Sequence, residues 1–152
     1  MVGQMLISEL SKSDSFELLN RLRFGRLACA REGQPYLTPF YFTRNGQHIY
    51  SFSTLGQKIE WMRLNPLVCV EADEFGSPQK WSSVVVFGSY EELPKEPQYE
   101  PLRELAHALL EKRSIWWEPA YARTILGGVE RELDPIYFRI HIQSISARRA
   151  TL

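Results

Sequence analysis

The sequence feature that most limits the possible folds of this chain is a pair of tight-turn signals, each lying between two short β-like runs. Asn45-Gly46 separates PFYFTR from HIYSFS, and this dipeptide strongly predicts a hairpin because both residues accept the positive φ of a type I′ turn. A second turn signal, Glu32-Gly33-Gln34, separates RLACAR from PYLTPFYFTR. Together the two turns predict three antiparallel strands in a meander.

Three further β-like runs follow these strands. They are VCVEAD, WSSVVVFGSYEE and the alternating segment IYFRIHIQ near the end of the chain. Consecutive strands lack crossover helices, so we expect an antiparallel sheet and not a parallel one. The sequence predicts a mainly β fold with peripheral helices, in which six strands form a closed or nearly closed antiparallel barrel.

Helical spacing of apolar residues predicts three helices. The first starts near Asp14 and ends before Gly25, and the second, KIEWMRLN, is stopped by Asn65-Pro66. The third is the amphipathic segment LRELAHALLEKR. The stretch SIWWEPAYARTILGGVE shows no clean period, so we expect it to be irregular with at most one helical turn. No linker or repeat divides residues 1–152, which we treat as a single domain.

Composition narrows the class of protein. The chain has 152 residues, of which 44% are hydrophobic, enough for one core, and its 18 basic and 18 acidic residues cancel. Without a net positive field, we expect no nucleic-acid partner. No window is long and apolar enough to span a membrane, and the first residues do not form a leader, so we expect a cytoplasmic protein without membrane contact. Cys29 and Cys69 lie in apolar runs and are expected to be reduced core thiols.

Several common designs for enzyme active sites are absent. The chain has no glycine-rich dinucleotide turn, no GxxxxGK[ST] and no GxSxG. His48, His107 and His141 are scattered, so no metal site is expected and each histidine is interpreted as an ordinary hydrogen-bonding residue. No catalytic side chain can be singled out, and difficult chemistry would need a cofactor.

The window from Ile49 to Pro66 has the features of a phosphate site. A strand ends in hydroxyl residues, a glycine follows, and a helix begins with a lysine in its first turn; the residues are Ser51, Ser53, Thr54, Gly56 and Lys58. Free N–H groups at a helix N-terminus, hydroxyl donors and an ammonium all suit a phosphate. The alternative is ordinary capping of the helix by Ser53 or Thr54.

The region from Phe24 to Glu92 resembles the FMN-binding split-barrel family, which includes pyridoxamine phosphate oxidases and nitroimidazole-resistance-type proteins. The resemblance is carried, in order, by FGRLACAREGQPYLTPFYF, by the loop ending in GQK, by LNPLVCVE and by WSSVVVFGSYEE. It implies a six-stranded split barrel that holds flavin mononucleotide (FMN) at a homodimer interface. It also implies that Ser53, Thr54, Gln57 and Lys58 contact the flavin phosphate.

The resemblance assigns further residues to the flavin ring. Thr38, Pro39, Phe40 and Tyr41 would lie along the isoalloxazine and offer backbone groups, while Ser82 and Ser83 would place polar side chains against it. Trp81 either contacts the flavin or substrate or closes the barrel end. Trp116 and Trp117 either cover the site from the second subunit or are buried in the core or in a self-interface.

The chain departs from the oxidases at two points. Gln57 replaces their usual arginine, and the C-terminal Trp and Arg substrate motif is missing, which argues against oxidation of pyridoxamine phosphate. We expect a flavin-dependent oxidoreductase acting on a small planar substrate, for example a nitro-aromatic or pyridoxal-like molecule. The alternatives are a deazaflavin-dependent reductase and a non-catalytic flavin or haem carrier, in which His48 or His141 would ligate iron.

Overall fold

The computed structural model describes residues 3–112, 123–126, 129–132 and 135–152. The strands are β1 (Leu6–Glu9), β2 (Phe24–Arg31), β3 (Gln34–Tyr41), β4 (Thr43–Asn45), β5 (His48–Ser53), β6 (Leu67–Ser77), β7 (Lys80–Glu92), β8 (Arg123–Leu126), β9 (Val129–Glu132) and β10 (Ile136–Thr151). The helices are α1 (Lys12–Arg21), α2 (Gln57–Leu64) and α3 (Glu100–Glu111), and a 3₁₀ turn, Pro97–Tyr99, precedes α3.

The main sheet is antiparallel and has the strand order β3-β2-β6-β7-β10-β5-β4, with β1 added along β10. The predicted mainly β fold with peripheral helices is confirmed. The sheet has eight strands, however, and not six. Within the described residues no ladder joins β3 to β4, the two ends of this order, so the barrel is open between them.

The predicted meander is wrong because the chain turns a corner at Phe42. β3 pairs with β2, whereas β4 pairs with β5, so the run PYLTPFYFTR divides between two neighbours. Phe42 is buried at this corner, and its N–H donates to the carbonyl of Arg23 at 3.1 Å. The corner separates the end of β3 from β4 and opens the gap in the barrel.

The ends of the chain add strands that the sequence pattern did not reveal. β10 extends to Thr151, well past the alternating segment, and its last residues pair with β1, whose four residues are all exposed. β8 and β9 pair antiparallel as a separate two-stranded sheet, which begins in the stretch expected to be irregular and ends two residues beyond it. Trp116 and Trp117 lie outside the described residues.

Both predicted hairpins form. At the first, Glu32 and Gly33 have φ of 50° and 80°, as a type I′ turn requires. At the second, Asn45 pairs with His48, so the two-residue turn is Gly46-Gln47, one residue later than expected. Gly46 has a φ of 62°, a value that glycine adopts readily.

Helix α1 begins earlier than predicted because Ser11 caps it. The Ser11 hydroxyl accepts a hydrogen bond from the Asp14 N–H at 3.0 Å. The helix ends at Arg21, and Gly25 lies in β2 instead of capping it. A Cβ at Gly25 would lie 2.2 Å from the carbonyl oxygen of Glu71, so glycine permits the close approach of β2 and β6.

The core has two parts. The larger fills the inside of the sheet beneath α1 and α2, and the smaller lies between α3 and the outer side of β5 and β10. Cys29 and Cys69 are free, as predicted, but Cys69 is only half-buried. Within the described residues, no helix is long and apolar enough to cross a membrane.

Candidate functional site

The N-terminus of α2 has free backbone donors. Its N-cap is Gly56, in extended conformation, and within residues 3–112 no side chain caps it. The alternative interpretation of Ser53 and Thr54, ordinary helix capping, is therefore not what the structure shows. The first N–H groups of the eight-residue helix remain available to an external acceptor.

Lys58 lies in the first turn of α2 and is half-buried. Burial lowers the pKa of its ammonium, and the nearby Cys29 thiol opposes this shift. None of the described acidic residues forms an ion pair with Lys58. A desolvated, unpaired cation gains free energy when an anion binds next to it, so this corner of the fold is suited to a phosphate.

The structure brings the end of β3 to this corner. The Ser51 hydroxyl donates to the Tyr41 carbonyl at 2.6 Å, and the rings of Tyr36 and Trp61 lie 5.8 Å apart between β3 and α2. Two predicted groups, Thr38 to Tyr41 and Ser51 to Lys58, are therefore neighbours. Ser51 itself is 1% exposed and already donates to protein.

Alternation along β3 divides its four predicted residues between two faces. Phe40 is 6% exposed and packs against Phe42, while Thr38, on the same inner side, is half-buried. Pro39 and Tyr41 lie on the outer face. Because β3 ends the strand order, its backbone groups on the side away from β2 have no ladder partner among the described strands and can serve a ligand edge.

The third predicted group lies elsewhere in the chain. Trp81, Ser82 and Ser83 are near the start of β7. Lys58 lies near Cys29 on β2, and the register across β2, β6 and β7 places Cys29 opposite the later part of β7, around Phe87. The six residue steps from Trp81 to Phe87 span roughly 20 Å of extended strand. Within one chain, Trp81 and Lys58 therefore do not converge.

The start of β7 borders a cavity of about 450 Å³ at the β6–β7 hairpin. Its lining includes Glu74, Phe75, Lys80, Trp81, Ser82 and Arg149, and the Glu74 carboxylate forms an ion pair with Arg21. Ser82 is 4% exposed and accepts a hydrogen bond from Nε of Arg149 at 3.3 Å. Two cations and two aromatic rings suit a planar anionic group.

The outer face of the sheet is unusually apolar for an exposed surface. Leu37, Ala28, Cys69 and Phe87 are successive cross-strand partners, so their side chains form one row across β3, β2, β6 and β7. Leu37 is 63% exposed and Phe87 is 56% exposed. Ala28 and Cys69, between them, are half-buried, and apolar patches of this kind are typical of surfaces that contact another molecule.

A carboxyl pair lies in the middle of this outer face, and the sequence analysis missed it. Glu71 and Asp73 are two residues apart on β6, so they project from the same side. Burial, followed by hydrogen bonding to Asp73, raises the pKa of Glu71 to about 7, while Arg26 and Ser83 oppose the shift. The spacing of acids in VEAD was the available signal, because alternate strand residues share a face.

Two histidines that seemed scattered in sequence are neighbours in the fold. His48 on β5 pairs directly with His141 on β10, and their ring centroids are 5.2 Å apart. Among the described residues no group of three or more His, Cys, Asp or Glu side chains could hold a metal ion. The sequence separation of the two strands hid this pair.

Comparison with known proteins agrees with this geometry. The family model described as pyridoxamine 5'-phosphate oxidase matches residues 11–149. An uncharacterised protein of Rhizobium meliloti is 36% identical over 146 residues, covering 96% of this chain and 97% of that protein.

Solved structures match along nearly the whole chain. A FAD-binding protein of Mesorhizobium loti is 41% identical, with a TM-score of 0.79, covering 98% of this chain and all of that one. A protein of Corynebacterium glutamicum provisionally named pyridoxamine 5'-phosphate oxidase is 25% identical, with a TM-score of 0.64 and coverage of 96% and 94%.

Proposed function

This chain belongs to the pyridoxamine 5'-phosphate oxidase family, and on that premise we propose that it binds FMN between two copies of itself. The observation that carries the proposal is the half-buried Lys58 ammonium at the uncapped N-terminus of α2. The phosphate would lie there, with Ser53, Thr54 and Gln57 supplying further donors.

The residues around this corner fit a phosphorylated, planar ligand. The phosphate neutralises the Lys58 charge and accepts from the free N–H groups of α2. The free edge of β3, which includes Thr38 to Tyr41 and has no neighbouring strand among the described residues, would then lie beside the ligand's polar ring edge. Ser51 contributes indirectly, because its hydrogen bond to the Tyr41 carbonyl holds β3 near β5.

The two-fold assembly is proposed on two grounds. The first is the exposed apolar row on the outer face, which a second copy would cover. The second is the separation of Trp81 and Ser83 from Lys58 of the same chain. If both groups contact one flavin, the partner subunit supplies Trp81 and Ser83.

The proposed activity is oxidoreduction of a small planar substrate, for example a nitro-aromatic or pyridoxal-like molecule. When bound, the flavin supplies the electron transfer, and the protein's residues bind it, orient it and exclude water. Hydrogen bonds from β3 to the ring edge would set its potential. No acidic or basic side chain of this chain is assigned a proton-transfer role.

FAD is a second candidate cofactor. The Mesorhizobium loti relative, 41% identical, is named as FAD-binding. The cavity beside Trp81, with Lys80 and Arg149, could accept the additional nucleotide of FAD from the partner side. Deazaflavin and haem remain the other cofactors to be distinguished.

The first experiment is the absorption spectrum of the purified protein, followed by denaturation and identification of the released cofactor by mass. Bound FMN or FAD would give the absorption bands of a flavin, whereas bound haem would give a sharp Soret band. A colourless protein that cannot be reconstituted with FMN or FAD would overturn the proposal.

The second experiment tests the phosphate site. Lys58→Ala should weaken FMN binding at least tenfold with the fold retained. Lys12→Ala is the matched control, because Lys12 begins α1, a helix that Ser11 caps. Equal loss in both variants, or none in Lys58→Ala, would remove the phosphate assignment.

A further inference from the structure

The pair of imidazoles formed by His48 and His141 has the arrangement of two ligands to one ion. The two residues are direct partners across β5 and β10, so both rings leave the sheet on the same side. Their centroids are 5.2 Å apart and their planes are inclined by 55°. With metal–nitrogen bonds of about 2.0–2.1 Å, two imidazoles on one tetrahedral ion have centroids about 5 Å apart.

The surroundings leave room for an ion and its remaining ligands. His141 is exposed and His48 is half-buried, so solvent can reach the space between the rings. Their row continues to Asn45 on β4 and Ser89 on β7, two oxygen-bearing side chains on the same face. The exposed side lets water complete the coordination.

The nearby charges do not exclude a cation. Arg139 precedes His141 on the same face of β10, but its guanidinium donates to Glu91 at 2.5 Å and to the Tyr50 hydroxyl at 3.4 Å. Its charge is therefore balanced by the Glu91 carboxylate. Burial, Arg139 and His141 lower the pKa of His48, while Glu91 opposes the shift.

We propose that His48 and His141 together bind one divalent first-row transition-metal ion, with water completing its coordination. Neutral imidazole is a good ligand for zinc, nickel and copper, and copper binds nitrogen sites most tightly of these. The site is separate from the proposed flavin corner, because His48 and His141 lie at the other end of β5 from Ser53.

The test is titration of the untagged, full-length protein with Cu²⁺ and with Zn²⁺, followed by calorimetry and, for copper, electron paramagnetic resonance. One ion per chain and the signature of two nitrogen ligands are expected. His48→Gln and His141→Gln should each weaken binding at least tenfold. His107→Gln on α3 is the matched control and should bind normally.

Several outcomes would overturn the proposal. They are no binding by the unmodified protein, binding that persists in both His48→Gln and His141→Gln, or equal loss in His107→Gln. His141 is exposed, so its variant should fold, which circular dichroism would verify. The flavin spectrum should be the same in all three variants, which separates this site from the proposed cofactor site.

Discussion

The hydroxyl of Ser51 donates to the carbonyl of Tyr41 at 2.6 Å, joining β5 to the end of β3 across the opening of the barrel. Ser51 is 1% exposed, so the bond is shielded from water. Within the described strands no ladder joins β3 to β5. This one side-chain bond therefore helps to fix the width of the proposed flavin corner.

Replacing this hydroxyl should destabilise the protein. Ser51→Ala removes this partly buried hydrogen bond to the Tyr41 carbonyl, and we expect the free energy of unfolding to fall by about 0.5–1.5 kcal/mol. Urea denaturation of the flavin-free protein measures the change. Ser53→Ala, half-buried two residues along the same strand, is the control and should change stability by less. Equal effects would show that the Ser51 bond contributes nothing specific.

Close approach of β2 and β6 at Gly25 leads to a second prediction. A Cβ at Gly25 would lie 2.2 Å from the Glu71 carbonyl oxygen, an atom of the backbone that cannot rotate away. Gly25→Ala should therefore force the strands apart and cost roughly 1–3 kcal/mol or more. The midpoint of thermal unfolding is the measurement.

Gly3→Ala is the matched control, because nothing lies within 4 Å of a Cβ built there. It should leave the midpoint unchanged. A Gly25→Ala protein as stable as this control would mean that the two strands separate at no cost.

The sequence predicted those features whose cause is local. The Glu32-Gly33 turn, the hydrophobic spacing of α3 and the alternation in β10 are all set by near neighbours along the chain. Each of these features depends on the φ preference of a residue or on the burial of one face of an element. Both causes can be recognised without knowing the fold. The proposed phosphate corner was predicted from local features in the same way, since a strand end, Gly56 and Lys58 are contiguous, and it stays a prediction.

What the sequence could not reveal depends on pairing between distant segments. The corner at Phe42 exists because β4 pairs with β5 and not with β2, and nothing in PYLTPFYFTR marks the change of neighbour. β1 is a strand only because β10 extends far enough to receive it. The His48–His141 pair is brought together by the β5–β10 ladder in the same way.

Glu71 predicts a pH dependence of stability. Its pKa is about 7 in the fold and near 4.5 when unfolded, so the folded state binds its proton more tightly. The protonated carboxyl stabilises the fold fully below about pH 4.5, and this contribution is lost as the pH rises through 7. Glu71→Gln, which stays neutral, should remove that loss and be more stable than the unmodified protein at pH 8.

Urea denaturation of the flavin-free protein at pH 5 and pH 8 checks this. The difference between the two pH values should shrink in Glu71→Gln. Glu104→Gln, an exposed carboxylate on α3, is the control and should keep the difference seen in the unmodified protein. If both variants behave alike, the outer-face carboxyl pair is not the source of the dependence.

The exposed row on the outer face makes the last prediction. Phe87 is 56% exposed in the middle of the face that a second copy would cover, so Phe87→Glu places a charge in the proposed interface. We expect analytical ultracentrifugation to show a monomer in place of the dimer. The affinity for FMN should fall as well, because Trp81 of the second copy would no longer reach the flavin. Leu6→Glu, on the equally exposed edge strand β1, is the control and should stay dimeric. A Phe87→Glu protein that remains a dimer and holds FMN normally would place the interface on another surface.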